Sequence, residues 1–294
     1  MEQSKRMKAH ALLLLTAIIW GSAFVFQKFA TDELSSWFIT AARFTIAAVL
    51  LGIITFRKWN QLDKGYLLGG IITGTTMGTA TAVQTVGLTM GTTPGKSAFL
   101  TAVYCVIVPF LYWFVSKERP LKNHVVAAVL CLLGIGLISL NGDMTMLPGD
   151  VLTLACGVIY ACDLTAVAWF SKGRDPILLT TMQIVFSAVI GWIGTLMTKG
   201  LPTSISLGAM GNVMYLAVFS TALCLFLQAY GLKHTDAAVG TILLSLESVF
   251  GVIFSVLLYK EVVTPKMMVG FAIVFVAVLL SQVSLGEGKK TEKT

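Results

Sequence analysis

Ala11–Phe26 reads ALLLLTAIIWGSAFVF, sixteen residues without a single charge. The run has no polar face, so it is not an amphipathic surface helix; it reads as a span. Comparable runs recur at Ala98–Val115, Val125–Leu140 and Met267–Leu280. Around them the 294-residue chain is 56% hydrophobic and 12% charged, about half the charged share of an ordinary soluble domain. Mean hydropathy is +0.85. Spans are expected at 11–30, 35–56, 66–89, 97–115, 123–140, 149–171, 176–198, 209–231, 238–259 and 265–284. At roughly 20 residues each, ten spans consume about 200 residues. The remaining loops are too short to form a soluble catalytic or nucleotide-binding domain.

Lys5, Arg6 and Lys8 ahead of Gly21-Ser22-Ala23 resemble a signal peptide, but the apolar run continues to Ala30, so a retained first span is expected. Pro148, Pro176 and Pro265 mark span starts, where a missing N–H is harmless. Pro94, Pro120 and Pro202 fall in connections, and Pro109 predicts a kink in the fourth span.

Fifteen Lys and Arg fall on one set of tails and loops against five on the other, with Arg43 inside a span. By the positive-inside rule both termini face the cytoplasm, in a cell or inner membrane. The net charge of +7 thus reflects topology, not a nucleic-acid partner. The five cysteines lie in apolar runs with no metal-ligand spacing, and no cofactor is expected. The chain is expected to be a monomer or weak homodimer.

The sequence also repeats. At an offset of 140, Leu12/Leu152, Trp20/Tyr160, Thr40/Thr180, Arg43/Gln183 and Ala48-Val49/Ala188-Val189 coincide. Gln84-x-x-Gly87-Leu88 returns as Gln228-x-x-Gly231-Leu232, and Lys117-Glu118 as Lys260-Glu261, which also aligns Tyr104 with Glu247. A repeat of five spans is odd-numbered, so the second copy inserts upside down. The expected fold is all-α integral membrane, ten transmembrane helices in two inverted five-helix repeats, 1–145 and 146–294.

AIIWGSAFVFQK (Ala17–Lys28), Ala42-Arg43-Phe44, FLTAVYCVIVPFL (Phe99–Leu111) and the stretch from Ser245 to Leu280 resemble the drug/metabolite transporter superfamily, EamA-type branch. Ser248 and Ala277 depart from the family's usual proline and glycine. The resemblance implies an exporter or exchanger of amino acids, other small metabolites or drugs. It also implies a central cavity lined by helices one, three, four, six, eight and nine. Nucleotide-sugar and sugar-phosphate carriers belong to the same superfamily, so exchange of such solutes is the alternative, with a membrane receptor or assembly subunit a more distant one.

Of 35 charged residues, Arg43, Asp163 and Glu247 lie well inside spans, with Lys96 at the edge of the fourth. Each needs a partner or water, because a charge at the bilayer centre costs at least about 2.5–3.5 kcal/mol. Arg43 and Glu247 fall at similar depth and are expected to pair, either as a static tie or as a moving gate. Asp163 aligns with Ala23 and has no obvious basic partner. It is a candidate for proton coupling or for a substrate amine; the plainer reading is a protonated carboxyl on a backbone carbonyl. Tyr160, one turn before Asp163, is expected to line a cavity with Trp20, Ser22, Phe24 and Tyr104, or else to be ordinary packing. Gln84 and Gln228 are cavity or gate candidates, since each amide needs a hydrogen bond within the membrane. Gly70, Gly74, Gly78 and Ala82 form a close-packing stripe. Gly91–Ser97 has one residue too few between its glycines for a phosphate loop, and Lys96 there could attract anions. The three histidines fit no hydrolase motif, so no enzymatic activity is expected. One cation and two buried acids suit a zwitterion or amine better than a multiply charged phosphate.

Overall fold

The computed structural model describes residues 2–117, 119–140, 145–235 and 237–282. They form ten long helical segments and no strand, with one isolated bridge between Leu140 and Met146. The helices are α1 (Glu2–Ala30), α2 (Ser36–Thr55), α3 (Lys64–Thr89), α4 (Pro94–Thr101 and Tyr104–Ser116), α5 (Lys122–Ser139), α6 (Pro148–Phe170), α7 (Pro176–Met197), α8 (Leu207–Met214, Tyr215–Leu223 and Cys224–Lys233), α9 (Ala237–Ser245 and Glu247–Phe254) and α10 (Pro265–Gln282). Among the described residues nine of these are long and apolar enough to cross a membrane. The tenth, α3, is equally long but diluted by glycine and threonine.

Polar residues set the helix starts. Ser35, Asp63, Asp175 and Ser206 each accept a backbone N–H from the first turn of α2, α3, α7 and α8, satisfying donors that helix geometry leaves free. Pro148, Pro176 and Pro265 are first residues of their helices, as their spacing predicts; Pro94, expected in a connection, also opens its helix.

Three helices are discontinuous. α4 divides into α4a (Pro94–Thr101) and α4b (Tyr104–Ser116), and α9 into α9a (Ala237–Ser245) and α9b (Glu247–Phe254). α8 runs from Leu207–Met214 through a π-helical stretch, Tyr215–Leu223, into Cys224–Lys233. The interruption of α4 therefore lies at Ala102-Val103 and not at Pro109, which sits inside α4b. α6 comes close at this point, since a Cβ on Gly157 would lie 2.4 Å from Val103 Cγ1 and 3.1 Å from the Thr101 carbonyl.

Helix pairing obeys the repeat. α2 packs on α7, α5 on α10 and α4a on α9b, each with its own counterpart. α1 packs on α8 and α9, and α6 on α3 and α4, the same contacts with the halves exchanged. This is the arrangement of two inverted five-helix repeats. The glycine stripe of α3 does close-pack: a Cβ on Gly70 or Gly74 would fall 2.6 Å from the Met182 Cβ or the Gln183 carbonyl of α7.

Candidate functional site

The seams in α4 and α9 are repeat equivalents and face each other. Tyr104 begins α4b and Glu247 begins α9b. Each lies ten residues into its span, about 15 Å deep and so near the middle of a ~30 Å hydrocarbon core. The Tyr104 hydroxyl donates to Glu247 Oε1 at 3.0 Å. Tyr104 also meets Tyr160 of α6 edge to face, with ring centroids 6.4 Å apart. The Tyr160 hydroxyl bonds Thr81 of α3 at 2.8 Å. Glycines admit the close approach: a Cβ on Gly21 of α1 would lie 2.8 Å from the Glu247 carbonyl.

Two polar nodes flank this seam. In the first, Arg43 of α2 donates to Thr221 at 2.7 Å and Ser220 at 3.2 Å, both in the π-helical stretch of α8, and to Gln27 of α1 at 3.5 Å. Gln27 continues to Thr85 and Gln84 of α3, and Gln84 donates to Thr101 at the α4 seam at 2.9 Å. In the second node, Asp163 of α6 accepts from Thr76 of α3 at 2.8 Å and from Gln183 of α7 at 3.0 and 3.1 Å. Gln183 is the repeat partner of Arg43, and Thr76 aligns with Ser220 at the offset of 144. Arg43 and Gln183 each stand seven residues into their helices, about 10 Å from the start. Because the halves are inverted, the nodes lie on opposite sides of the seam. One is built around a cation and the other around a carboxylate.

The expected Arg43–Glu247 ion pair is not formed. Among the described residues the only ion pairs are Lys58–Asp175 at 2.5 Å and Lys96–Asp150 at 3.2 Å. Arg43 points instead to α8 and α1, and Glu247 to Tyr104. Equal depth did not place the two side chains on facing sides of their helices. Lys96 is likewise not free to attract anions, because it neutralises Asp150, which is wholly buried and also accepts from Thr92 at 2.8 Å. Glu261, buried beside it, accepts from Thr93 at 2.5 Å, from the Gly95 N–H at 2.9 Å and from Ser255. Two acids of the second repeat thus hold the start of α4a.

The remaining candidates divide. Trp20 is half-buried and donates from its indole to the Ser220 carbonyl at 2.8 Å, which places it beside the Arg43 node. Ser22 donates to the Ile19 carbonyl and bonds the Tyr215 hydroxyl at 2.6 Å. Phe24 is buried, close to Gly251 of α9b, a packing position. Gln228 is half-buried in the last part of α8, beyond the π-helical stretch and apart from both nodes. Gln27, Thr76, Gln183, Ser220 and Thr221 join these nodes without being among the expected site residues. The alignment of Arg43 with a polar residue, Gln183, was the one signal that could have found part of this set.

Arg43, Asp163 and Glu247 therefore all sit in the apolar layer with neutral hydrogen-bond partners and, among the described residues, no opposite charge within 4.0 Å. Such groups remain available to a charged solute or a proton. An inverted repeat with broken helices at mid-depth defines the class: a membrane transporter of small solutes. The sequence profile of the EamA-like transporter family matches residues 7–140 and again 147–282, and the chain belongs to that family. Two Archaeoglobus fulgidus proteins named "Uncharacterized transporter" are similar. The first is 29% identical over 95% of this chain and 87% of its own length, the second 26% over 93% and 98%. Bacillus subtilis "Uncharacterized transporter YyaM" is 25% identical over 85% of this chain and 86% of itself. A protein of known crystal structure superposes with a TM-score of 0.66 over 92% of this chain and 96% of that one at 15% identity, a likeness of fold alone.

Proposed function

We propose that this transporter is a secondary exporter of amino acids or related small zwitterionic and amine metabolites or drugs, working by alternating access. The observation that carries the reading is the separation of uncompensated charges, Arg43 on one side of the Tyr104–Glu247 seam and Asp163 on the other. A carboxylate suits the guanidinium fork, an ammonium suits Glu247 or Asp163, and Trp20, Tyr104 and Tyr160 supply aromatic surface between them. In this reading Gln84 and Gln228 line the path. Asp163, held among the described residues by Thr76 and Gln183, loses one acceptor site on protonation, so a proton can release α6 from α3 and α7 and couple to transport. The charge bias of the loops supports cytoplasmic termini in a cell or inner membrane.

Exchange of nucleotide sugars or sugar phosphates is the competing reading. Arg43 alone in the layer argues against it, since a multiply charged phosphate calls for several Lys or Arg. A thermal-shift screen over amino acids, polyamines, nucleosides and sugar phosphates, followed by flux from loaded vesicles, decides. Stabilisation and flux by sugar phosphates but not by amino acids or amines overturns the proposal. Normal transport by Asp163→Asn with an unchanged pH profile removes the coupling role.

A further inference from the structure

Away from the seam, a crevice of about 560 Å³ lies between α4b and the last turns of α6, within the size range of small-molecule sites. Leu111 and Phe114 form one wall, and Cys162, Thr165 and Trp169 the other. The walls are almost wholly apolar; the Thr165 hydroxyl is turned back onto the Ala161 carbonyl at 2.8 Å. Phe114 and Trp169 are 71% and 50% exposed, so the crevice opens laterally onto lipid. It offers no polar group to orient a metabolite, which separates it from the seam.

At the end where both helices leave the apolar layer stands Lys172. Its ammonium lies 5.0 Å from the Trp169 ring on α6 and 5.9 Å from the Tyr112 ring on α4b. The cation thus spans the mouth from both walls. Among the described residues no carboxylate lies within 4.0 Å of it. The nearby acid Asp175 is already engaged by Lys58 and by the N–H groups of Ile177 and Leu178. Arg174, two residues on, is turned to α3 instead, over Tyr66 at 5.7 Å, and donates to the Phe170 carbonyl at 2.9 Å.

We propose that this crevice binds one anionic phospholipid, with an acyl chain between α4b and α6 and the phosphate on Lys172. An apolar slot, aromatic rings at the level where helices meet headgroups, and an unpaired cation at its mouth are complementary to that molecule in depth and charge. A zwitterionic headgroup brings its own ammonium to Lys172 and gains less. The site joins the helix that begins at Tyr104 to the helix that carries Tyr160 and Asp163, so occupancy bears on the relative position of those groups.

Cys162 is the exposed cysteine among the five, which makes the crevice self-reporting. The full chain is placed in dioleoyl-phosphatidylcholine bilayers with increasing dioleoyl-phosphatidylglycerol, and alkylation of Cys162 by a lipid-soluble maleimide is followed by peptide mass. Phosphatidylglycerol is expected to slow labelling several-fold. Lys172→Ala is expected to raise the phosphatidylglycerol fraction needed by about fivefold, the worth of one surface cation, and Lys172→Arg to retain protection. Thr165→Trp, which fills the slot, is expected to lose the lipid bound in native mass spectra, with melting in pure phosphatidylcholine verifying that each variant folds. Equal labelling in both lipids, or an unchanged phosphatidylglycerol preference in a folded Lys172→Ala, overturns the assignment.

Discussion

Replacing Gly21 by alanine tests whether the α9 seam is held by close packing. A Cβ there would lie 2.5 Å from the Phe250 Cβ and 2.8 Å from both the Glu247 carbonyl oxygen and the Gly251 nitrogen. Non-bonded carbons rest at about 3.5–4.0 Å, so α1 and α9b must separate by about 1 Å. Overpacking of this kind costs about 1–3 kcal/mol, while alanine's better helix propensity returns about 1 kcal/mol. Gly211 of α8 provides the control, because nothing lies within 4 Å of its position and Gly211→Ala registers propensity alone. The difference between the two variants is therefore the packing term. At about 2–4 °C per kcal/mol for chains of 150–250 residues, the apparent Tm of Gly21→Ala in detergent should fall at least about 2 °C below that of Gly211→Ala. Equal melting of the two variants would refute the close approach of α1 to the seam.

Tyr104→Phe and Glu247→Leu should couple in a double-mutant cycle on stability, because an intramolecular hydrogen bond is worth about 0.5–1.5 kcal/mol; additivity within about 0.3 kcal/mol would contradict the contact. Asp150→Ala leaves the Lys96 ammonium buried without its partner and should destabilise by about 3–5 kcal/mol, whereas replacing both residues with apolar ones should recover much of that loss in the same melt. Burial raises the Asp175 carboxyl, but hydrogen bonds from Lys58 and from the N–H groups of Leu178 and Ile177 outweigh it and hold the group below its ordinary value. Its contribution to stability is thus complete above the unfolded value of about 3.9 and is lost as pH falls through the lower folded value. Melting of the wild type below pH 4 should fall more steeply than that of Asp175→Asn.

The ten helices were readable because an uncharged run of span length has nowhere to bury itself in a chain this size except a bilayer, and the proline and charge pattern located their ends to within a few residues, except that α1 begins at Glu2, nine residues before the expected start. α3 was also found despite its dilution by glycine and threonine. The seams were not readable. Neither Ala102-Val103 nor Leu246 carries glycine or proline; what accompanies the seams is the close approach of other spans at Gly157, beside Thr101 and Val103, and at Gly21, beside Glu247. Span counting gave the depths of Arg43 and Glu247 but not their facing, which depends on helix rotation set by packing. Among the described residues no cation pairs with Asp163, and Lys and Arg are scarce inside spans. Its partners Thr76 and Gln183 were not legible, since a threonine in an apolar helix usually bonds its own preceding turn, and Thr76 lies within reach of the Ile72 and Thr73 carbonyls as well as of Asp163. Asp150 and Glu261 lie at span ends, where acids usually meet water, so their position in the sequence gives no sign of their burial.

Flux in reconstituted vesicles tests the central claim most directly. A solute that raises the melting temperature of the chain is loaded into proteoliposomes and its release measured for wild type, Glu247→Gln and Asp163→Asn. Saturable release by wild type, reduced at least about tenfold in Glu247→Gln at unchanged fold and altered in pH dependence in Asp163→Asn, is the predicted result. Release that persists unchanged in both variants would contradict a transport path through the Tyr104–Glu247 seam.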